Sequence, residues 1–118
     1  MVAYNFQPQF APAVESGIKR QTIRPQGKRR HAKPGDVLQL YTGQRTRSCR
    51  LLRKAKCLIS TYCSITEDGI TTGNFPAVDL DLFAKSDGFR DFSHMKQWFS
   101  DTHGLPFTGR LIVWSLES

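Results

Sequence analysis

Apolar and polar positions alternate along much of the chain, with three stretches that switch to a helical period. Val2 to Phe6 alternates and carries Tyr4 and Phe6, which predicts a short strand. From Pro8 to Ser16 the period becomes helical. Pro12 suits a first turn, Phe10 and Val14 stand four apart, and Gly17 follows as a C-terminal cap. Gln21 to Arg24 reads as extended and stops at Pro25. After a polar stretch, Lys33-Pro34-Gly35-Asp36 forms a turn into a strand from Val37 to Tyr41.

Strand signals dominate again from Cys49 to Ile65. Glu67-Asp68-Gly69 then predicts a hairpin turn, with a short return at Ile70 to Thr72. Pro76 to Ser86 reads as a helix. A second helix, capped by Asp91 or Ser93, runs to about His103 with Phe92, Met95, Trp98 and Phe99 on one face. Aromatic residues at that spacing read as core. Phe107 to Leu116 is a last strand, and its continuous apolar run Leu111 to Trp114 predicts a central, buried position. The order of elements gives an α+β domain, and 118 residues suit one domain over residues 1–118.

Charge changes the picture more than composition does. With 39% hydrophobic and 23% charged residues, the chain reads as globular. Its net charge of +7 is unevenly placed. Residues 1–56 hold 13 Lys or Arg against 2 acids, or +11, and residues 57–118 hold 4 against 8, or −4. Two loops concentrate the cations. Lys28, Arg29, Arg30 and Lys33 lie between Pro25 and Pro34, and Arg45 and Arg47 lie between Thr42 and Ser48. A basic half points to a polyanionic partner, nucleic acid first, against the plainer reading of a solvated surface.

Several classes of function find no support. No apolar run reaches the roughly 18–20 residues of a membrane span, and the N-terminus lacks the form of a signal peptide, so a cytoplasmic protein without a membrane partner is expected. Cys49, Cys57 and Cys63 form no Cys-x-x-Cys pair, and His31, His94 and His103 do not fall at metal-ligand spacing with them. Neither a metal nor a cofactor is expected. His103 reads as a cation at a helix C-terminus.

One ordered set of residues carries more. Gly17, Lys19, Thr22 and Arg24 match Gly-x-Lys-x-x-Thr-x-Arg, Gly35-Asp36 precede a strand, Asp87-Gly88-Phe89 precede a helix, and the last strand ends near Trp114. In this the chain resembles the ASCH family, relatives of the PUA domains of RNA-modifying proteins. Tyr41-Thr42-Gly43 followed by Arg45 is similar to small bacterial and phage members. The resemblance implies a small PUA-like mixed β-barrel with flanking helices and a basic cleft that holds RNA or a modified nucleoside. Binding residues would be Arg20, Arg24, Lys28, Arg29, Arg30, Lys33, Tyr41, Thr42, Arg45 and Arg47. Tyr41 or Trp114 could stack on a base.

One branch of that family removes the acyl group from N4-acetylcytidine with a Lys, a Thr and an acid. The matching residues here are Lys19, Thr22 and Asp87, although that branch places Glu where this chain has Asp87. A Thr hydroxyl needs a base to become a nucleophile, and a Lys amine of lowered pKa serves, with Arg20 and Arg24 as sources of positive field. On a flat strand Lys19 and Thr22 face opposite ways, so the chain must bend between them, with Lys19 at the mouth of the cleft and Thr22 and Arg24 on its floor. The plainer readings are a surface Lys19 pairing with phosphate, a Thr22 chosen for strand propensity, and an Asp87 that stabilises a turn. Ribonuclease activity, or a phage protein-interaction factor with an unidentified partner, are the remaining alternatives.

Overall fold

The strand signals from Cys49 onward become one strand, β4 (Arg50–Ile65), which organises the sheet. The computed structural model describes residues 1–28 and 30–116. A straight strand of 16 residues would run about 50 Å. The longest dimension of the molecule is 38 Å, so β4 must bend. A register shift between Cys57 and Ile59 marks where the pairing changes hands. Before it, β4 pairs antiparallel with β3 (Val37–Thr42), and β3 pairs parallel with β1 (Val2–Phe6). Beyond it, β4 pairs antiparallel with β7 (Phe107–Trp114) and, near its end, with β5 (Ile70–Thr72). β2 (Gln21–Pro25) joins the far side of β7, and the two-residue β6 (Phe75–Pro76) joins β5.

The result is an α+β fold with one mixed sheet of seven strands and three α-helices among the described residues. The predicted central strand is central: β7 lies between β2 and β4, and Leu111, Ile112 and Trp114 are buried. It ends at Trp114, two residues short of the expected Leu116. The sheet is not closed into a barrel. Among the described residues no backbone ladder joins β1 to β2, and the Arg24 guanidinium instead donates to the Asn5 carbonyl at 2.7 Å.

The helices follow their caps. A 3-10 turn at Pro8–Phe10 leads into α1 (Ala11–Ser16), which Gly17 ends in the left-handed region at φ 87°. α2 spans Leu80–Ser86, later than the expected start at Pro76. Pro76 is held in β6, and Asp79 caps the helix by accepting from the Leu82 amide at 2.9 Å. α3 (Phe92–Thr102) is capped by Asp91, which accepts from the His94 amide at 2.8 Å.

Two apolar clusters fill the interior. Tyr4, Phe6, Val14, Leu38, Leu40, Ala55, Ile112 and Trp114 form one beneath β1, β3 and the first half of β4. Ile23, Cys63, Ile65, Ala84, Phe89, Met95, Phe99 and Leu111 form the other, where α2 and α3 cover the second half of β4 and β7. Each large side chain so buried contributes roughly 1.5–3 kcal/mol. Phe10, half-buried, packs against both.

Candidate functional site: a cavity at the open seam

The gap between β1 and β2 opens into a cavity of about 360 Å³. Asn5, Phe6 and Gln7 line one side, and Thr22, Ile23, Arg24 and Pro25 the other. The last turn of α3 forms a third wall, and Lys19 and Asp87 lie within. Lys19, Thr22 and Asp87 are thus gathered at one place from distant parts of the chain.

Local backbone chemistry explains how. β2 begins only at Gln21, so Lys19 belongs to the turn after α1 and escapes strand alternation. That turn is pinned on three sides. The Lys19 amide donates to the Ala13 carbonyl at 2.9 Å, the Arg20 amide to the Ser86 carbonyl at 2.8 Å, and the Trp114 amide to the Arg20 carbonyl at 3.1 Å. Asp87 ends α2. The Phe89 amide returns to the Ala84 carbonyl at 2.9 Å and the Gly88 amide to the Lys85 carbonyl at 3.0 Å, with Gly88 in the left-handed region at φ 95°. Gly88 carries the turn, which leaves the Asp87 carboxylate available for another role. A Cβ on Gly88 would stand 3.2 Å from Lys19 Cδ, so the lysine stem runs directly over this glycine.

Lys19 is 3% exposed, deep in the site and not at its mouth as expected. Its Nζ lies 3.4 Å from Asp87 Oδ2 and also donates to the Asp87 main-chain carbonyl. It stands 5.1 Å from the Phe10 ring centre and 5.7 Å from that of Phe6. Burial pushes the Lys19 pKa below the ordinary lysine value; Asp87 opposes that shift, and Arg24 adds to it. Burial likewise pushes Asp87 above the usual carboxylate range, against the charges of Lys19 and Arg24. Gln21 is near enough to favour ionised Asp87, yet Gln21 Nε2 and Asp87 Oδ1 meet no partner at hydrogen-bond geometry among the described residues.

Thr22 is 4% exposed, and its Oγ1 accepts from Arg24 Nε at 2.9 Å. The half-buried Arg24 guanidinium also lies 4.8 Å from the Phe6 ring centre and 5.3 Å from that of Tyr4. A cation on Oγ1 favours an alkoxide there. The arrangement therefore offers a hydroxyl, an amine shifted toward its free base and a carboxyl shifted toward its acid form, all beside a space for a ligand.

The remaining sequence candidates that the structure describes lie outside the cavity. Arg20, Lys28, Arg30, Lys33, Arg45 and Arg47 are exposed, and none lines it. Of the two arginines expected to act on Lys19, Arg24 lowers its pKa, and Arg20 is exposed and outside the cavity lining. Tyr41 is half-buried away from the cavity, and Thr42 is buried with its hydroxyl donating to the Phe6 carbonyl at 2.7 Å. Arg29 lies outside the described residues. Trp114 is 1% exposed, so it is core and presents no stacking face.

Sequence reasoning passed over the aromatic wall. Phe10, Phe89, Trp98, Phe99 and His103 all line the cavity. His103 also departs from the expected helix-end cation. It lies 4.7 Å from Phe107, ring centre to ring centre, and partial burial pushes its pKa down, toward the neutral ring. Among the described residues no three His, Cys, Asp or Glu side chains are grouped to hold a metal ion. Among those residues, too, no helix is long and apolar enough to cross a membrane. No protein-family model, curated protein or solved structure matches the chain.

Proposed function

We propose that this chain is an ASCH-type domain, a PUA-like fold, that takes a nucleoside, free or as part of RNA, into the cavity between β1 and β2. The observation that carries this reading is the burial of Lys19, Thr22 and Asp87 around one cavity. A volume of about 360 Å³ suits a small organic ligand. Withdrawing a Lys and an Asp from water is costly, and sites that do so commonly serve a ligand. The exposed cations Lys28, Arg30, Lys33, Arg45 and Arg47 would hold phosphates outside the cavity, so RNA affinity should fall steeply with salt.

A second reading, hydrolysis of an N-acyl group on the nucleoside, is favoured by the Arg24 bond to Thr22 and by the opposed shifts of Lys19 and Asp87. Lys19 as free amine removes the Thr22 hydroxyl proton, and the oxygen attacks the acyl carbon. Asp87 in its acid form supplies a proton to the departing amine. Water then releases the acyl group from Thr22 as a carboxylic acid.

The test is chromatographic. N4-acetylcytidine is incubated with wild type, Lys19→Ala, Thr22→Val and Thr22→Ser. Cytidine formed by wild type, lost in the first two variants and partly kept by Thr22→Ser supports hydrolysis. Binding without turnover leaves the nucleoside-binding reading alone. Absence of both binding and turnover, with cytidine and RNA also unbound, overturns both readings.

A further inference from the structure

The cavity lining is of two kinds. Lys19, Thr22, Arg24 and Asp87 supply charge and hydrogen bonds, and Phe10, Phe89, Trp98 and Phe99 supply rings. Among the rings, Phe89 and Phe99 are 5% and 2% exposed. Phe10 and Trp98 are only half-buried.

The ring geometry is selective. Trp98 meets Phe10 at 5.5 Å and 83°, Phe99 at 5.0 Å and 79°, and His103 at 5.9 Å and 70°. It meets Phe89 at 5.8 Å and 50°. These contacts fix the indole through edge-on and tilted packing, and none of them is a parallel stack. A flat ring from a ligand could supply the parallel contact, and the rigid surround lowers the entropy lost when it binds.

We propose that Trp98, seconded by Phe10, is the specificity-determining residue of the cavity and selects a planar heteroaromatic ring. This rests on the ligand-binding reading given above. A ring on Trp98 shares the cavity with Thr22, Lys19 and Asp87, which can meet a polar exocyclic substituent. A saturated ring of the same size has no π face to offer the indole and gains mainly burial. The ligand class is therefore a flat heterocycle bearing an exocyclic amide or amine.

A matched pair of probes tests this: 4-acetamidopyrimidine and N-cyclohexylacetamide, which share the amide and differ in the ring. Affinities are measured by calorimetry for wild type, Trp98→Phe and Trp98→Ala, alongside N4-acetylcytidine. Circular dichroism confirms that each variant is folded. Wild type should prefer the planar probe by about tenfold or more, Trp98→Phe should keep most of that preference, and Trp98→Ala should lose it. The planar probe should also quench the emission of Trp98 and leave that of buried Trp114, the sole tryptophan of Trp98→Phe, unchanged.

Equal affinity for the two probes, or an undiminished preference in Trp98→Ala, overturns the inference. So does binding of N4-acetylcytidine with the same affinity in wild type and Trp98→Ala; the nucleoside reading then stands without it. If no ring compound binds wild type, the inference and the reading beneath it fall together.

Discussion

Lys19 Nζ lies 3.4 Å from Asp87 Oδ2 with both residues 3% exposed, and this pair governs the electrostatics of the site. Each group is driven by burial toward its neutral form and drawn back by the charge of the other. They titrate as a unit, so changes to one are felt at the other.

Removing one partner should be far worse than removing both. Lys19→Met leaves Asp87 buried without its cation, at an expected cost of roughly 3–5 kcal/mol. The double variant Lys19→Met with Asp87→Asn should recover most of that loss, as measured by urea unfolding at pH 7. In Lys19→Met alone, the folded carboxyl holds its proton to higher pH than the unfolded one does. The folded state then binds more protons, so the deficit should shrink as the pH falls through the raised pKa. Strictly additive single losses would show that the two groups do not interact.

Two substitutions should move the Lys19 pKa in opposite directions. Asp87 raises it and Arg24 lowers it. Asp87→Asn should therefore shift the amine titration to lower pH, and Arg24→Gln should shift it to higher pH. Side-chain NMR of the lysine ζ-nitrogen reads both, and shifts of the same sign would contradict the arrangement.

Gly88 and Gly35 form a matched control. Both hold positive φ, 95° and 94°, so alanine at either costs about 1–2 kcal/mol in backbone strain. Only at Gly88 does the new Cβ press on Lys19, whereas nothing lies within 4 Å at Gly35. Gly88→Ala should perturb the Lys19 titration and ligand affinity, and Gly35→Ala should lower stability alone. Equal effects on affinity would remove the case for Gly88 as the support of the lysine stem.

The thiols should divide one to two. Cys49 is exposed, while Cys57 and Cys63 are buried. Burial, with the nearby Asp87 charge, pushes the Cys63 thiol up to about 12. A thiol reagent at pH 8 should label one cysteine rapidly in the folded protein and three in denaturant. Rapid labelling of Cys63 in native conditions would contradict its placement beneath the site.

The sequence was informative wherever local chemistry decides the outcome. Gly17 after a helical stretch, Pro25 after an extended one and the continuous run Leu111 to Trp114 each led to the element observed. Pro76 misled because helical periodicity and a two-residue strand cannot be separated over so few positions, and pairing with β5 decided between them. Lys19, Thr22 and Asp87 were legible only as members of an ordered motif; nothing local to Asp87 foretells a partner 68 positions away. Trp98 was passed over for a physical reason. A half-buried aromatic on a helix carries the same periodic signal whether it faces packed side chains or an open cavity.

β4 has a consequence for how the molecule comes apart. It is the one strand that the β1–β3 ladder and the β2–β7 ladder both depend on, and both apolar clusters draw residues from it. The two halves hold successive segments of this one strand, so loosening either leaves part of β4 unpaired. The cavity lies between edges from the two halves, so its shape reports the integrity of the whole cooperative unit. Amide protons along β4 should accordingly exchange through global unfolding, and damage at Leu40 or Ala55, neither of which lines the cavity, should loosen the site and the fold together.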